Sequence, residues 1–333
     1  MLAFAAAAAL VVVRIRQDVP QAVPPGPPPV SSLIAWSVTL GDRAFVAVIA
    51  IPPGRPAVAL AVPGDTLIDL PGGSPTTVGA ATATPGVLLA SMQATFDQRI
   101  PHYVISSGVD LQNLIDREGG IRVLVEEPFA WNGQTLGPGE TTLIGGAALE
   151  YLESADPLDA TGRWEEVLAG VLGAAGAPNL AAAPLGTTDD LVLVPSLLSR
   201  AKGAPVIELP TAIIEGSGGR QVDRRALKAL RFSRFAGIGG KLIRVVVLNG
   251  NGQPGVGADL SSLLAPSGYR VVTSQNAETF DTKETQVIAA RTDLLTAAGE
   301  VRGLLGLGKV YVGAQPTGIV DITIVVGEDY KAA

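Results

Sequence analysis

Apolar residues cluster in short runs separated by Pro- and Gly-rich turns. Arg43 to Ile51 (RAFVAVIAI) and Arg55 to Val62 (RPAVALAV) are nearly continuous apolar stretches divided by Pro52-Pro53-Gly54. That pattern predicts a buried hairpin, because a strand covered on both faces has no polar alternation. His102 to Ser106 and Ile121 to Val125 read as further strands. Apolar residues recur at helical spacing over Val87 to Phe96, Leu111 to Glu118, Gly146 to Ser154 and Arg163 to Gly173. Strands mixed with helices predict an α/β fold, a mixed sheet with helices on its faces. Phe235 to Gly240 (FAGIGG) marks a boundary, and a second unit begins at Leu242. Its pattern predicts a strand over Leu242 to Leu248, a helix over Asp259 to Ala265 stopped at Pro266, and a strand over Tyr269 to Thr273. A strand over Thr285 to Ala290, a helix over Asp293 to Leu305 and a closing strand over Ile319 to Val326 follow. The result is a small β-α-β C-terminal domain with an extra strand and helix.

The N-terminus differs from the rest. Met1 to Val13 are all apolar, and Arg14 and Arg16 follow. Thirteen helical residues reach about 20 Å, short of the roughly 30 Å hydrocarbon core of a bilayer. Residues 1–16 therefore read as a signal-peptide core or a clipped membrane anchor. No basic residue precedes the run, so the expectation is that the true start lies upstream or that the segment spans only partly. The stretch VPQAVPPGPPP (Val19 to Pro29) predicts a stiff extended spacer, taken as a linker over 17–39.

Composition then removes whole classes of chemistry. The 333-residue chain has no cysteine and one histidine, His102, which excludes thiol catalysis, disulfides and any site needing two histidines. His102 itself reads as a structural residue entering a strand. The formal net charge of −7 argues against a nucleic-acid partner, which needs cationic surface to displace phosphate counterions. Charge is also unevenly placed. Residues 30–200 hold seven arginines, no lysine and eighteen acids, a net of −11. The sign then reverses: Arg220, Arg224, Arg225, Lys228, Arg231, Arg234, Lys241 and Arg244 accompany one acid, Asp223. Such a run attracts anionic polymers or lipid headgroups, or is a solvated helix face. Gly250-Asn251-Gly252-Gln253-Pro254-Gly255 fits a dinucleotide-binding G-x-G-x-x-G turn, but no acid follows the second strand to hold a ribose. The other reading is that these glycines serve close packing.

The run RVVVLNGNGQPGVGADLSSLLAPSGYRVV (Arg244 to Val272) with the ending DITIVVGEDY (Asp321 to Tyr330) resembles the LytR C-terminal domain over residues 242–330. Three strings in the preceding region resemble a LytR-CpsA-Psr catalytic domain over about residues 40–236. They are AVPGDTLIDL (Ala61 to Leu70), RIPHYVISSGVDLQNLIDREGGIRVLVEEP (Arg99 to Pro128) and LGPGETTLIGGAALEYL (Leu136 to Leu152). The resemblance implies an α/β protein anchored outside the cell membrane. It implies a transferase moving glycopolymers from polyprenyl-pyrophosphate carriers to peptidoglycan, with arginines and Mg²⁺ around the phosphates. Carried over position by position, Asp42 and Asp65 become catalytic and metal-binding candidates and Arg163 a catalytic one. Arg55 and Arg117 are phosphate-binding candidates. The family's Ile-Pro-Arg-Asp element reads Val62-Pro63-Gly64-Asp65 here, with glycine in the arginine's place. Tyr151 is followed by Leu152-Glu153-Ser154-Ala155 in place of an Arg-x-Arg pair, and Trp164 replaces the glutamine of an Arg-Gln pair. These departures lead to the expectation of a degenerate, non-catalytic member that binds cell-wall glycopolymer, polyprenyl lipid or a partner protein. The alternative is an active phosphotransferase using displaced arginines with Mg²⁺. A DNA-binding regulator is set aside for want of a helix-turn-helix pattern.

Overall fold

A computed structural model of the chain describes residues 32–70, 75–156, 159–174, 186–187, 193–216, 219–235, 238, 242–313 and 320–331. The expected anchor over 1–16 and most of the expected boundary over 235–240 lie outside the described residues. The core is a six-stranded mixed sheet in the order Gly186–Thr187, His102–Ser107, Ser32–Leu40, Arg43–Ile51, Val58–Val62, Val206–Glu208. The expected hairpin is present, with Val46 opposite Val62 and Ala50 opposite Val58.

The strand Ser32–Leu40 corrects the spacer assigned to 17–39. It is a central strand, antiparallel to Arg43–Ile51 and parallel to His102–Ser107. Its side chains alternate between two cores, as a pleated strand requires. Ile34, Trp36, Val38 and Leu40 enter a cluster with residues of the helices Gly108–Arg117, Gly145–Glu153 and Ala160–Ala174. Leu33 and Ala35 enter the opposite cluster with residues of Val78–Ala81, Pro85–Phe96 and Arg224–Arg234. A sheet buried on both faces explains why RAFVAVIAI shows no alternation, and why SLIAWSVTL, directly after a proline run, did not stand out.

The described helices match the expected ones to within a few residues at each end. Pro85–Phe96 begins two residues before Val87, with proline at its first turn. Gly108–Arg117 starts at a capping box, in which Ser107 accepts from the Asp110 amide while Asp110 accepts from the Ser107 amide. A second, smaller sheet runs Thr211–Ile213, Arg220–Val222, Thr66–Ile68, Thr76–Thr77. Its strands are two or three residues long, too short to carry a period legible in sequence.

The C-terminal unit has a five-stranded sheet, in the order Tyr269–Asn276, Ile243–Asn249, Ile322–Val326, Gln286–Ala289, Lys309–Val312. Pairing is parallel except between Gln286–Ala289 and Ile322–Val326. The helix Val256–Leu264 starts earlier than expected, and Pro266 sits inside a short 3-10 turn, Ala265–Ser267. The glycine-rich turn closes on its own chain. Asn249 Oδ1 accepts from the amides of Asn251 and Gly252, and Asn251 Nδ2 donates to the carbonyls of Gly327 and Tyr330. A Cβ on Gly250 would lie 2.8 Å from the Val326 carbonyl, so the glycine serves close packing against the closing strand. The Gly-x-Asp-Tyr ending is explained the same way. Asp329 Oδ1 accepts from the amide and hydroxyl of Thr285, and that hydroxyl accepts from the Gly327 amide.

Residues 31–333 form one compact unit, and the Pro85–Phe96 and Val256–Leu264 helices pack directly on each other. A Cβ on Gly86 would meet the Ser262 carbonyl at 2.9 Å. Gln93, 1% exposed, donates to the Ala265 carbonyl at 2.8 Å and accepts from the Ile100 amide at 3.0 Å. Arg270 reaches Asp97 at 2.8 Å beside this contact.

Candidate functional site

The turn joining Ser32–Leu40 to Arg43–Ile51 places Gly41 at a φ of 59°, a conformation glycine adopts without a Cβ clash, and holds Asp42 at the end of the sheet. The end of Val58–Val62 delivers Gly64 and Asp65 to the same place. Between them opens a cavity of about 660 Å³ lined by Asp42, Arg43, Phe45, Gly64, Asp65, Thr77, Gly79 and Thr161, among others. The two carboxylates that sequence placed in one site therefore share one cavity.

The cations do not all follow. Among the described residues Arg43 is the one basic residue lining this cavity, and its Nη1 donates to the carbonyls of Leu152 (3.2 Å) and Ala155 (2.7 Å). Arg55 is exposed and donates to the Ser233 carbonyl, and Arg117 ends the Gly108–Arg117 helix; neither lines the cavity. Arg163 lines a neighbouring cavity of about 450 Å³ instead. There it donates to the Tyr151 carbonyl and the Ser154 hydroxyl, both at 2.9 Å, and stacks 4.7 Å above the Tyr151 ring. Trp164 points into the core, 1% exposed, and donates from Nε1 to the Val46 carbonyl.

Sequence reasoning missed Arg220 as a site residue. From its strand it reaches Asp65 at 3.2 Å and Glu208 at 2.7 Å, with its side chain only 16% exposed. No local signal could have shown this, because 155 residues separate Arg220 from Asp65. Only the parallel pairing of Arg220–Val222 with Thr66–Ile68 brings them together. Among the described residues Asp42 and Asp65 are the carboxylates lining the cavity, and Asp65 is paired with Arg220. Two carboxylates would hold Mg²⁺ only together with phosphate oxygens of a bound ligand. Among the described residues no group of three or more acids or histidines could hold a metal ion.

The neighbouring cavity is strongly acidic. Glu126, Glu127, Asp159, Glu165, Glu166 and Glu208 line it, with Arg163 the one basic residue among the described residues there. Burial, helped by the negative charges of Glu208 and Glu166, pushes the Glu165 carboxyl up to about 7. Burial also raises the Glu166 carboxyl, which accepts a short hydrogen bond from the Tyr151 hydroxyl. Below an unfolded-state value near 4.5 Glu165 is protonated in both states. As pH rises through about 7 the folded protein must ionise a disfavoured carboxylate, so stability falls. Glu165→Gln is expected to add about 1 kcal/mol at pH 8, after discounting for partial exposure, and almost nothing at pH 4.5. Urea unfolding midpoints at the two pH values check this, and an equal effect at both would refute it.

Comparison with known proteins matches residues 46–161 to the LytR_cpsA_psr family and residues 242–330 to the family described as LytR cell envelope-related transcriptional attenuator. No curated protein matched the chain. Among solved structures, Bacillus subtilis TagV is 18% identical and covers 61% of this chain and 95% of its own, with a TM-score of 0.51. B. subtilis TagT is 19% identical, covering 67% and 94% with a TM-score of 0.51. TagT bound to LI-WTA is 18% identical, covering 67% and 93% with a TM-score of 0.52. TagT with bound octaprenyl pyrophosphate lipid is also 18% identical, covering 67% and 93% with a TM-score of 0.50. At these identities the likeness is one of fold, and it agrees with the α/β core expected from the sequence.

Proposed function

The chain joins a LytR_cpsA_psr family domain to a LytR C-terminal domain, and from that premise we propose that it is a cell-envelope protein that binds without catalysing transfer. Its ligand in this reading is a polyprenyl-linked glycopolymer or its carrier lipid, the class bound by the TagT structures it is similar to. The protein sits outside the membrane, held by its apolar N-terminal segment. In this reading the anchor is the apolar run within residues 1–16; among the described residues no helix is long and apolar enough to cross a membrane.

One observation supports the non-catalytic reading. Among the described residues the cavity holding Asp42 and Asp65 is lined by a single basic residue, Arg43, whose Nη1 is engaged by backbone carbonyls. A pyrophosphate brings several negative charges, and each left unpaired in a partly buried site costs several kcal/mol. Gly64 lines the cavity where the resemblance expects an arginine. The Arg220–Asp65 pair favours the second reading, an active phosphotransferase, because it sets one guanidinium beside one candidate carboxylate.

A single experiment separates the two. The full chain is incubated with a polyprenyl pyrophosphate and Mg²⁺, and phosphate release and lipid binding are both measured. The expected result is binding without turnover. Gly64→Arg is expected to tighten binding about tenfold, the scale of one charge-assisted contact. A Cβ there would lie 3.3 Å from the Ala44 carbonyl, a tight but tolerable approach. Metal-dependent phosphate release that disappears in Asp65→Ala would establish the phosphotransferase instead.

A further inference from the structure

The basic run at 220–234 does not line the cavity, although Arg220 pairs with Asp65 at its edge. Most of it forms the Arg224–Arg234 helix, started by Asp223, whose Oδ1 accepts from the amides of Arg225 and Ala226. Leu227, buried on one side of the helix, fixes that side to the domain core, and Leu230 packs against the same cluster. The opposite side carries Arg225, Lys228, Ala229 and Phe232, all exposed, at the spacing that puts them on one face. Arg224 is paired with Asp69, and Arg231 reaches Asp97. Arg225, Lys228 and Arg234 join no ion pair among the described residues. Arg55 adds a further exposed guanidinium, donating to the Ser233 carbonyl next to Phe232.

Phe232 is 85% exposed, the highest value among the exposed large apolar side chains. Folding drives a phenylalanine inward unless something else covers it. Charge alone would suit any polyanion. An aromatic ring held outward in the middle of basic residues suits a surface that offers anions and hydrocarbon together, which is a bilayer interface. We propose that this face of the Arg224–Arg234 helix docks on anionic phospholipid, with Arg225 and Lys228 on the headgroups and Phe232 entering the interface. The proposal is independent of whether the Asp42–Asp65 cavity turns over substrate. It also gives Arg55 a place outside the phosphate site expected for it.

The test uses the full chain with phosphatidylglycerol or phosphatidylcholine vesicles. The N-terminal apolar segment is common to all variants, so its contribution cancels in each comparison. Arg225→Gln with Lys228→Gln is expected to weaken binding to the anionic vesicles about tenfold and to leave binding to neutral ones unchanged. Phe232→Ser is expected to weaken it by a similar factor. In Phe232→Trp, emission from the introduced indole is expected to shift to the blue and to be quenched by brominated lipid when anionic vesicles are added. These positions are exposed, so unfolding midpoints of the variants serve as the control for folding. Equal vesicle binding by the wild type and the charge variant would overturn the proposal. So would an introduced tryptophan that stays in water on the vesicle surface. Tight, salt-sensitive binding to single-stranded DNA or soluble polyphosphate, lost in the same variants while the indole ignores lipid, would assign the face to a soluble polyanion.

Discussion

Trp164→Ala is expected to cost about 4 kcal/mol of folding free energy, the range for deleting a large buried aromatic side chain. The indole is 1% exposed, meets Trp36 edge-on at 6.3 Å between ring centres and Phe45 at 5.7 Å, and donates from Nε1 to the Val46 carbonyl at 3.1 Å. Alanine would leave a cavity under the sheet and remove the indole hydrogen bond to the Val46 carbonyl, in the strand that follows the site turn. The consequence reaches the candidate site, because Phe45 lines the Asp42–Asp65 cavity and rests on Trp164. Trp164→Gln introduces the residue that the resemblance expects, but it places an amide in an apolar cluster, and it is expected to destabilise the fold by a few kcal/mol with no gain in lipid binding. Chemical unfolding with paired vesicle and lipid-binding assays checks both variants. A Trp164→Gln protein as stable as the wild type would show that the residue is not the core pillar described.

Loss of contact between the two domains is the second large effect. Gln93 is 1% exposed and makes two hydrogen bonds with backbone groups, one to each side of the helix–helix contact. Gln93→Leu keeps the volume but leaves the Ile100 amide without this acceptor and removes one of the two bonds to the Ala265 carbonyl, which keeps the Gly268 amide, an expected cost of about 2 kcal/mol. Gly86→Leu attacks the same contact by size. A Cβ on Gly86 would already sit 3.1 Å from the Ser262 Cα, so the helices must separate. With both changes the C-terminal domain is expected to leave the Pro85–Phe96 helix. X-ray scattering would then show a larger radius of gyration, and unfolding would split into two steps. An unchanged radius in the double variant would mean that the packing at Gly86 and Gln93 is not what holds the domains together.

Much of this architecture was legible in sequence because its elements are strongly patterned. The RAFVAVIAI and RPAVALAV runs predicted the central hairpin, and the helical spacing of four segments placed the main helices to within a few residues. The C-terminal domain was readable for a different reason. Its Asn-Gly turn and Gly-x-Asp-Tyr ending are short strings that carry the family resemblance, although Asn249 bonds within its own turn while Asn251 and Asp329 also reach groups 44 to 79 residues away. Ser32–Leu40 was not legible, because a proline run precedes it and a strand buried on both faces shows no period to separate it from a spacer.

The residue types available for chemistry were determined by the sequence alone: no thiol, a single histidine, an acidic first domain and a basic stretch after residue 219. Asp42 and Asp65 became candidates through the family resemblance carried by short strings of sequence. The tertiary structure decided which charges meet. Arg220 joins Asp65 across 155 residues, Arg163 turns to Tyr151, and Arg55 leaves for the Arg224–Arg234 helix. A side chain a few ångströms long acts only where the backbone delivers it. Pairings between distant segments are set by sheet order and helix packing, which no short window of sequence contains.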